Sequence, residues 1–192
     1  MSDQPKASEV LLFWFGGPDE QGKRQKRWFE KSEAFDREVR ERFLGAYEEA
    51  AAGRLARWRD MPRDCLALIV LLDQFPRNMF RGTPRAFAAD PLALDAARHA
   101  VAHAYDRDLL PVERLFAYLP FEHSEALADQ VRACELIQPL GAFSETADAY
   151  PYALAHRDII QRFGRFPHRN AILGRASTPE EIDFLTQPGS SF

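Results

Sequence analysis

The feature that most constrains this chain is the run Cys65-Leu66-Ala67-Leu68-Ile69-Val70-Leu71-Leu72, eight apolar residues in a row. Placed on a helix, such a run is apolar around the whole circumference, and only a helix surrounded by other elements can bury it. It is also far shorter than the roughly 20 residues needed to cross hydrocarbon. The segment from Pro62 to Phe75 is therefore expected to be the central helix of a protein core, and no membrane span is expected.

The rest of the chain repeats apolar residues at intervals of three and four, with no useful length of strict alternation, which predicts an all-α protein. Helices are expected over Val10 to Phe15, closed by Gly16, Gly17 and Pro18, and from about Ser32 to Ala52, where Phe35, Val39, Phe43 and Tyr47 share a face. The opposite face of that second helix offers Glu33–Arg37, Asp36–Arg40 and Glu38–Arg42 at four-residue spacing, each worth a few tenths of a kcal/mol. Asp90 followed by Pro91 reads as a cap and first position of a helix to about Tyr105. Val112 to Tyr118 is a further piece, broken by Pro120, and Ser124 reads as the cap of a helix to about Gln138 with Glu125 and Asp129 near its start. Another helix ends at Gly164. Thr178-Pro179-Glu180-Glu181 has the cap, first-turn proline and reciprocal Glu of a capping box for a helix to Leu185.

Short breaks between many helices imply antiparallel neighbours, so the expected architecture is stacked antiparallel helical hairpins in a single domain over residues 8–187, with flexible ends at 1–7 and 188–192. At 192 residues such a domain buries roughly 70% of the surface its unfolded chain exposes, and fifteen Phe residues point to an aromatic core.

Charge narrows the partners. The 29 acidic and 25 basic residues are interleaved and leave a formal net charge of -4, which argues against nucleic acid. Met1 to Ser8 is polar and lacks the profile of a secretion signal. With only Cys65 and Cys134, both in helical patterns, the chain reads as carrying two buried reduced thiols, and a cytoplasmic location is expected.

Chemistry concentrates at Asp73-Gln74-Phe75-Pro76-Arg77-Asn78-Met79-Phe80-Arg81. Asp73 lies near the expected end of the apolar helix, where the dipole disfavours a carboxylate, so a compensating Arg77 or Arg81 is expected. These groups either tie down a buried turn or offer a guanidinium fork and an amide to a carboxylate or phosphate. A second stretch, Phe166-Pro167-His168-Arg169-Asn170, echoes the first loosely. Were the two turns to meet, Arg77, Arg81, Arg169 and Arg175 would make a positive pocket for a small anion. Among the histidines, His168 on an expected loop is the leading candidate for proton transfer. His123 follows, because Phe121-Glu122-His123-Ser124-Glu125 offers a carboxylate to orient it. His156 faces an apolar stripe and reads as a core histidine. His99 and His103 stand four apart but lack the intervening Glu of a zinc helix, so no metal is expected there. Walker-type, G-x-G-x-x-G, C-x-x-C and G-x-S-x-G signatures are absent from the sequence, and no cofactor is expected.

Leu71 to Asn78, Phe121 to Glu125, and Phe163 to Asn170 with Gly174-Arg175, supported by Phe13-Trp14-Phe15-Gly16 and Ser177 to Glu181, resemble the bacterial family catalogued as domain of unknown function 924. The resemblance implies a tetratricopeptide-like stack of helix pairs and no established activity.

Three functions follow as expectations. The first is a binding module holding an anionic peptide or metabolite at Asp73, Arg77, Asn78, Arg81, Arg169, Asn170 and Arg175. The second is an enzyme for a phosphate- or carboxylate-bearing substrate with His168, His123 or Glu125 as acid or base. The third is a structural or oligomerisation domain, with a protein partner and with those Arg residues paired internally.

Overall fold

The computed structural model describes residues 6–191, and among these it contains eight α-helices and no strand. They are α1 (Ala7–Phe15), α2 (Glu33–Ala51), α3 (Pro62–Met79), α4 (Asp90–Ala102), α5 (Pro111–Glu122), α6 (Leu127–Ile137), α7 (Ala149–Phe163) and α8 (Pro179–Leu185), joined by loops and one-turn 3-10 helices. Helix α3 is the hub. Every residue from Cys65 to Asp73 is buried, and α3 packs against α1, α2, α4 and α5. Successive helices from α2 to α7 pack on one another, as the hairpin reading requires.

The aromatic core forms where α1 meets α2, α3 and α5. Phe13 lies 4.9 Å from Phe43, Phe43 lies 4.8 Å from Phe75, and Trp28 sits edge-on to Phe116 at 4.8 Å. Such pairs add about 1 kcal/mol each beyond the area they bury. Trp28 also donates its indole N–H to the carbonyl of Trp14 at 2.8 Å, which ties the Lys26–Trp28 turn to α1. A second, smaller cluster stands apart from this core: Ile159, Ile160 and Phe166, with Phe163 and Phe184 against them. It anchors α8 and the segment after α7.

Several expected boundaries are corrected. Helix α3 does not stop before the Phe75-Pro76 step but runs through it to Met79, and α5 likewise runs through Pro120 to Glu122. A proline inside a helix loses one backbone bond and crowds the preceding turn, at a cost of about 3 kcal/mol. Burial of Phe75, Pro76 and Met79 holds α3 together across that step. One residue further on, the Arg77 guanidinium donates to the carbonyl of Asp73 at 2.6 Å. Ser124 is not the cap of α6, which begins at Leu127 after Ala126. Its hydroxyl donates to Asp129 at 2.7 Å instead, and Glu125 is left outside the helix. Asp90 is the first residue of α4 and makes no capping bond.

Of the expected ladder on α2, Glu38–Arg42 forms at 3.1 Å, whereas Asp36 turns towards α3 to receive Arg81 and Asn78. The capping box at α8 is present, with Thr178 and Glu181 satisfying each other's backbone N–H. At the ends, residues 1–5 and 192 lie outside the described residues. Helix α1 begins at Ala7, and the Ser190 hydroxyl donates to the Leu185 carbonyl at 3.3 Å. Among the described residues no helix is long and apolar enough to cross a membrane.

Candidate functional site

The site begins with a polar residue in the least polar helix. Asp73 is fully buried in α3, and an isolated carboxylate there would be costly. Three donors converge on it. Its Oδ1 accepts from His123 Nδ1 at 2.7 Å, its Oδ2 accepts from Gln74 at 2.6 Å, and the Arg77 guanidinium lies 3.4 Å from Oδ1. Burial alone would push the Asp73 carboxyl up, but Arg77, His123 and Gln74 outweigh it and hold it well below the usual carboxylate range. The continuation of α3 through Pro76 is what places Arg77 one turn beyond Asp73 on the same face.

His123 caps the end of α5. Burial, then the charge of Arg77, lowers the pKa of its imidazole, so the ring is neutral at pH 7. With Nδ1 giving its proton to Asp73, the tautomer is fixed and Nε2 carries the lone pair. The ring also lines an open groove of about 360 Å³. Three segments build that groove: Pro84 to Leu94 at the start of α4, Pro120 to Glu125 at the end of α5, and Arg169 with Leu173 after α7.

The two Phe-Pro segments do converge, on Asp90. Arg77 grips Asp90 with a two-pronged pair at 2.8 and 3.0 Å, and Arg169 approaches the same carboxylate at 3.6 Å. Asp90 sits at the N-terminus of α4, where the dipole favours its charge. Arg169 donates to the carbonyl of His123 at 3.1 Å, satisfying the open end of α5. Its guanidinium carbon lies 4.8 Å from the ring centre of Phe87 and 4.4 Å from that of Phe166. The Arg169 side chain is only 8% exposed. Its Nε is buried without a hydrogen bond, and its Nη2 makes none with the described residues. Burial, together with the charge of Arg77, pulls its pKa down to about 10.

The other expected site residues lie elsewhere. Asn78 and Arg81 leave the groove and bind Asp36 on α2 at 2.7 to 2.8 Å. Asn170 is fully buried and bonds Ser177 and Glu181, while its carbonyl accepts from Arg175 at 2.9 Å. Arg175 also forms a double bridge to Glu125 at 2.7 and 2.9 Å, and Glu125 accepts from the Phe166 backbone at 2.8 Å. Burial would raise the Glu125 pKa, but Arg175 and that backbone bond bring it below the usual value. The Glu125–Arg175 pair clasps the C-terminal segment to the end of α5 and leaves Glu125 on the groove wall. His168 does not line the groove. Its ring packs 5.5 Å from Phe166, and burial pulls its pKa down to about 4.

Beside the core histidine His156 stands a carboxyl group that was not given a role of its own from the sequence. Glu122 is buried at the end of α5, with His156 Nδ1 3.3 Å away. Burial, reinforced by the charge of Asp73, pushes Glu122 up to about 8, and burial pulls His156 down to about 3. The contact therefore joins a neutral acid and a neutral ring at pH 7, and the Nδ1 proton goes to the Tyr152 carbonyl at 2.9 Å. Asp90 had been read only as a helix cap. Among the described residues no group of three or more His, Cys, Asp or Glu is placed to hold a metal ion. His99 and His103 stack at 4.0 Å and bond to backbone carbonyls.

A family model described as bacterial protein of unknown function, DUF924, matches residues 10–189. The chain belongs to that family. A solved structure, that of the protein of unknown function ATU0120 from Agrobacterium tumefaciens, is 45% identical to the chain. It superposes with a TM-score of 0.82, over 93% of this chain and 96% of that one. No protein with a curated description matches the chain.

Proposed function

We propose that the groove is a binding site for a small organic anion, with Arg169 receiving the anionic group. The observation that carries this reading is the state of Arg169: a buried guanidinium beside two aromatic rings, incompletely paired, on the wall of an open groove. A buried charge without full compensation is costly, and a bound anion supplies the missing partner in a charge-assisted, two-pronged geometry. Arg77, Arg81 and Arg175 are each satisfied by a carboxylate of the protein, so they serve the fold and leave Arg169 as the ligand's contact. The two free thiols, Cys65 and Cys134, are buried, which fits the reducing cytoplasm to which we assign the protein.

Thermal unfolding against a panel of organic anions tests this reading. A ligand at a hundred times its Kd stabilises by about 2.7 kcal/mol. The expected result is a saturable rise in Tm that disappears in Arg169→Gln. A ligand that stabilises both proteins equally would place the site elsewhere.

The Asp73–His123 pair favours a second reading, in which the bound molecule is also turned over. A neutral imidazole held in one tautomer by a buried carboxylate is equipped to take a proton from a water or hydroxyl at Nε2. Under this reading His123→Gln binds the same ligand with similar affinity and loses turnover, whereas retained turnover excludes it. A peptide presenting one carboxylate would meet the same Arg169, and competition between peptide and small anion identifies it.

A further inference from the structure

We propose that the groove selects a monoanionic carboxylic acid with an apolar body over phosphate esters and over dianions. This rests on the groove being a ligand site, and it adds the ligand's charge, head group and body.

The charge follows from which groups are already paired. Asp90 and Glu125 both line the groove, and each is matched by its own arginine, Arg77 and Arg175. Asp73 takes its three donors from Gln74, Arg77 and His123. What remains for a ligand is the single positive charge of Arg169, whose one carboxylate contact is the 3.6 Å approach to Asp90. A phosphate monoester dianion would bring two charges to one cation with two carboxylates on the same walls, and like charges at such short range are costly. A carboxylate brings one.

The head group follows from the rings. The Arg169 guanidinium carbon lies 4.8 and 4.4 Å from the ring centres of Phe87 and Phe166, so aromatic surface crowds a ligand's approach to it. A planar carboxylate can pair with a guanidinium in one plane and needs little room there. A phosphate pairs with the same fork but carries further oxygens out of that plane, into the crowded space.

The body follows from the walls. Pro84, Phe87, Pro91, Leu94, Pro120 and Leu173 form an apolar stretch of the groove, while its polar groups, Asp90, His123, Ser124, Glu125 and Arg169, include one cation with no close carboxylate of its own. At about 360 Å³ the space is at the small end of the range for small-molecule sites, suited to a ring or short alkyl chain.

The test is calorimetric titration of the full chain with benzoate, 3-phenylpropionate and hexanoate, set against phenyl phosphate, glutarate and 3-phenylpropionamide. The expected result is that at least one monocarboxylate binds about tenfold or more tightly than phenyl phosphate and glutarate, with the uncharged amide not binding. Binding should be lost in Arg169→Gln and also in Leu94→Trp, which fills the apolar wall without touching the charge. Circular dichroism confirms that each variant is folded. Equal or tighter binding of phenyl phosphate, lost in both variants, overturns the carboxylate assignment and leaves the groove as an anion site. If no anion of the panel binds at about 10 mM, a level far above any specific Kd, both this inference and the ligand-site reading fall. Binding that survives in Arg169→Gln overturns the inference by removing its head-group contact.

Discussion

Asp73 Oδ1 and His123 Nδ1 are 2.7 Å apart, joining residues fifty positions apart in the chain and fastening α3 to the end of α5. Around this bond the groove is assembled, because His123 has Nδ1 committed inward while its ring lines the groove.

Removing the carboxylate should therefore cost both stability and order. Asp73→Ala strips the buried Arg77 and His123 of a shared partner, and such a loss typically costs about 3–5 kcal/mol. Arg77 keeps Asp90, which places the expected loss at the low end of that range. Nitrogen-15 NMR of the wild type should show His123 protonated at Nδ1 in neutral solution. In Asp73→Ala that preference should be lost. A variant with the wild-type tautomer would mean that Asp73 does not set it.

Glu122 gives the protein an alkaline weakness. Its ordinary pKa is 4.5, and burial raises it to about 8 in the folded state. Between those values the folded protein holds a proton that the unfolded chain releases, so stability falls as pH rises, with a limiting slope of about 1.4 kcal/mol per unit. His156 and His168 act in the opposite sense. Their pKa values fall from 6.5 to about 3 and about 4, so the unfolded chain binds protons that the folded protein refuses, and stability falls as pH drops from 6.5. Denaturant unfolding across pH should thus give a maximum near pH 6.5, and Glu122→Gln should flatten the limb between 6.5 and 8 and steepen the acid limb between 4.5 and 6.5. An unchanged alkaline slope in that variant would clear Glu122 of the role.

The Glu125–Arg175 clasp should behave as a coupled pair. Both side chains are partly exposed, at 30% and 24%, which tempers the pair relative to a fully buried one. A double-mutant cycle with Glu125→Ala and Arg175→Ala is expected to give a coupling on the order of 1–2 kcal/mol by urea unfolding. Additive losses would mean that the bridge contributes nothing beyond its separate members.

Both thiols should be silent in the native protein. Cys65 is buried, and that burial pushes its pKa up to about 11, while Cys134 is also raised by burial. Since the thiolate is the reactive form, a disulfide exchange reagent at pH 8 should label neither until denaturant is added. Fast labelling of one equivalent without unfolding would contradict the packing around that cysteine.

Much of the fold was legible in local pattern. The wholly apolar run of α3, the Thr178 cap and the helix end at Gly164 depend on neighbours a few residues away. The prolines misled: Pro76 and Pro120 read as breaks because propensity is local, yet tertiary burial carries both helices through. The site was half legible. Asp73, Arg77, His123 and Arg169 stood out as charged or titratable groups beside apolar segments, but nothing local tells that Asp36, rather than a ligand, takes Asn78 and Arg81. Nor does it tell that His168 packs against Phe166 away from the groove. Asp90 carries the signature of a helix start, and its second role as the meeting point of two arginines exists only once α3, α4 and the segment after α7 are together.

Arg169 and Leu173 follow Phe166, which belongs to the small cluster with Ile159 and Ile160, while the opposite wall rests on the main core. The groove is thus a seam between a small apolar cluster and the main core, and the side with fewer buried apolar contacts is expected to open at lower free energy. A molecule bridging Arg169 and His123 would stitch that seam, so its arrival should register as slowed amide exchange across residues 164–185 while α2, α3 and α4 exchange as before.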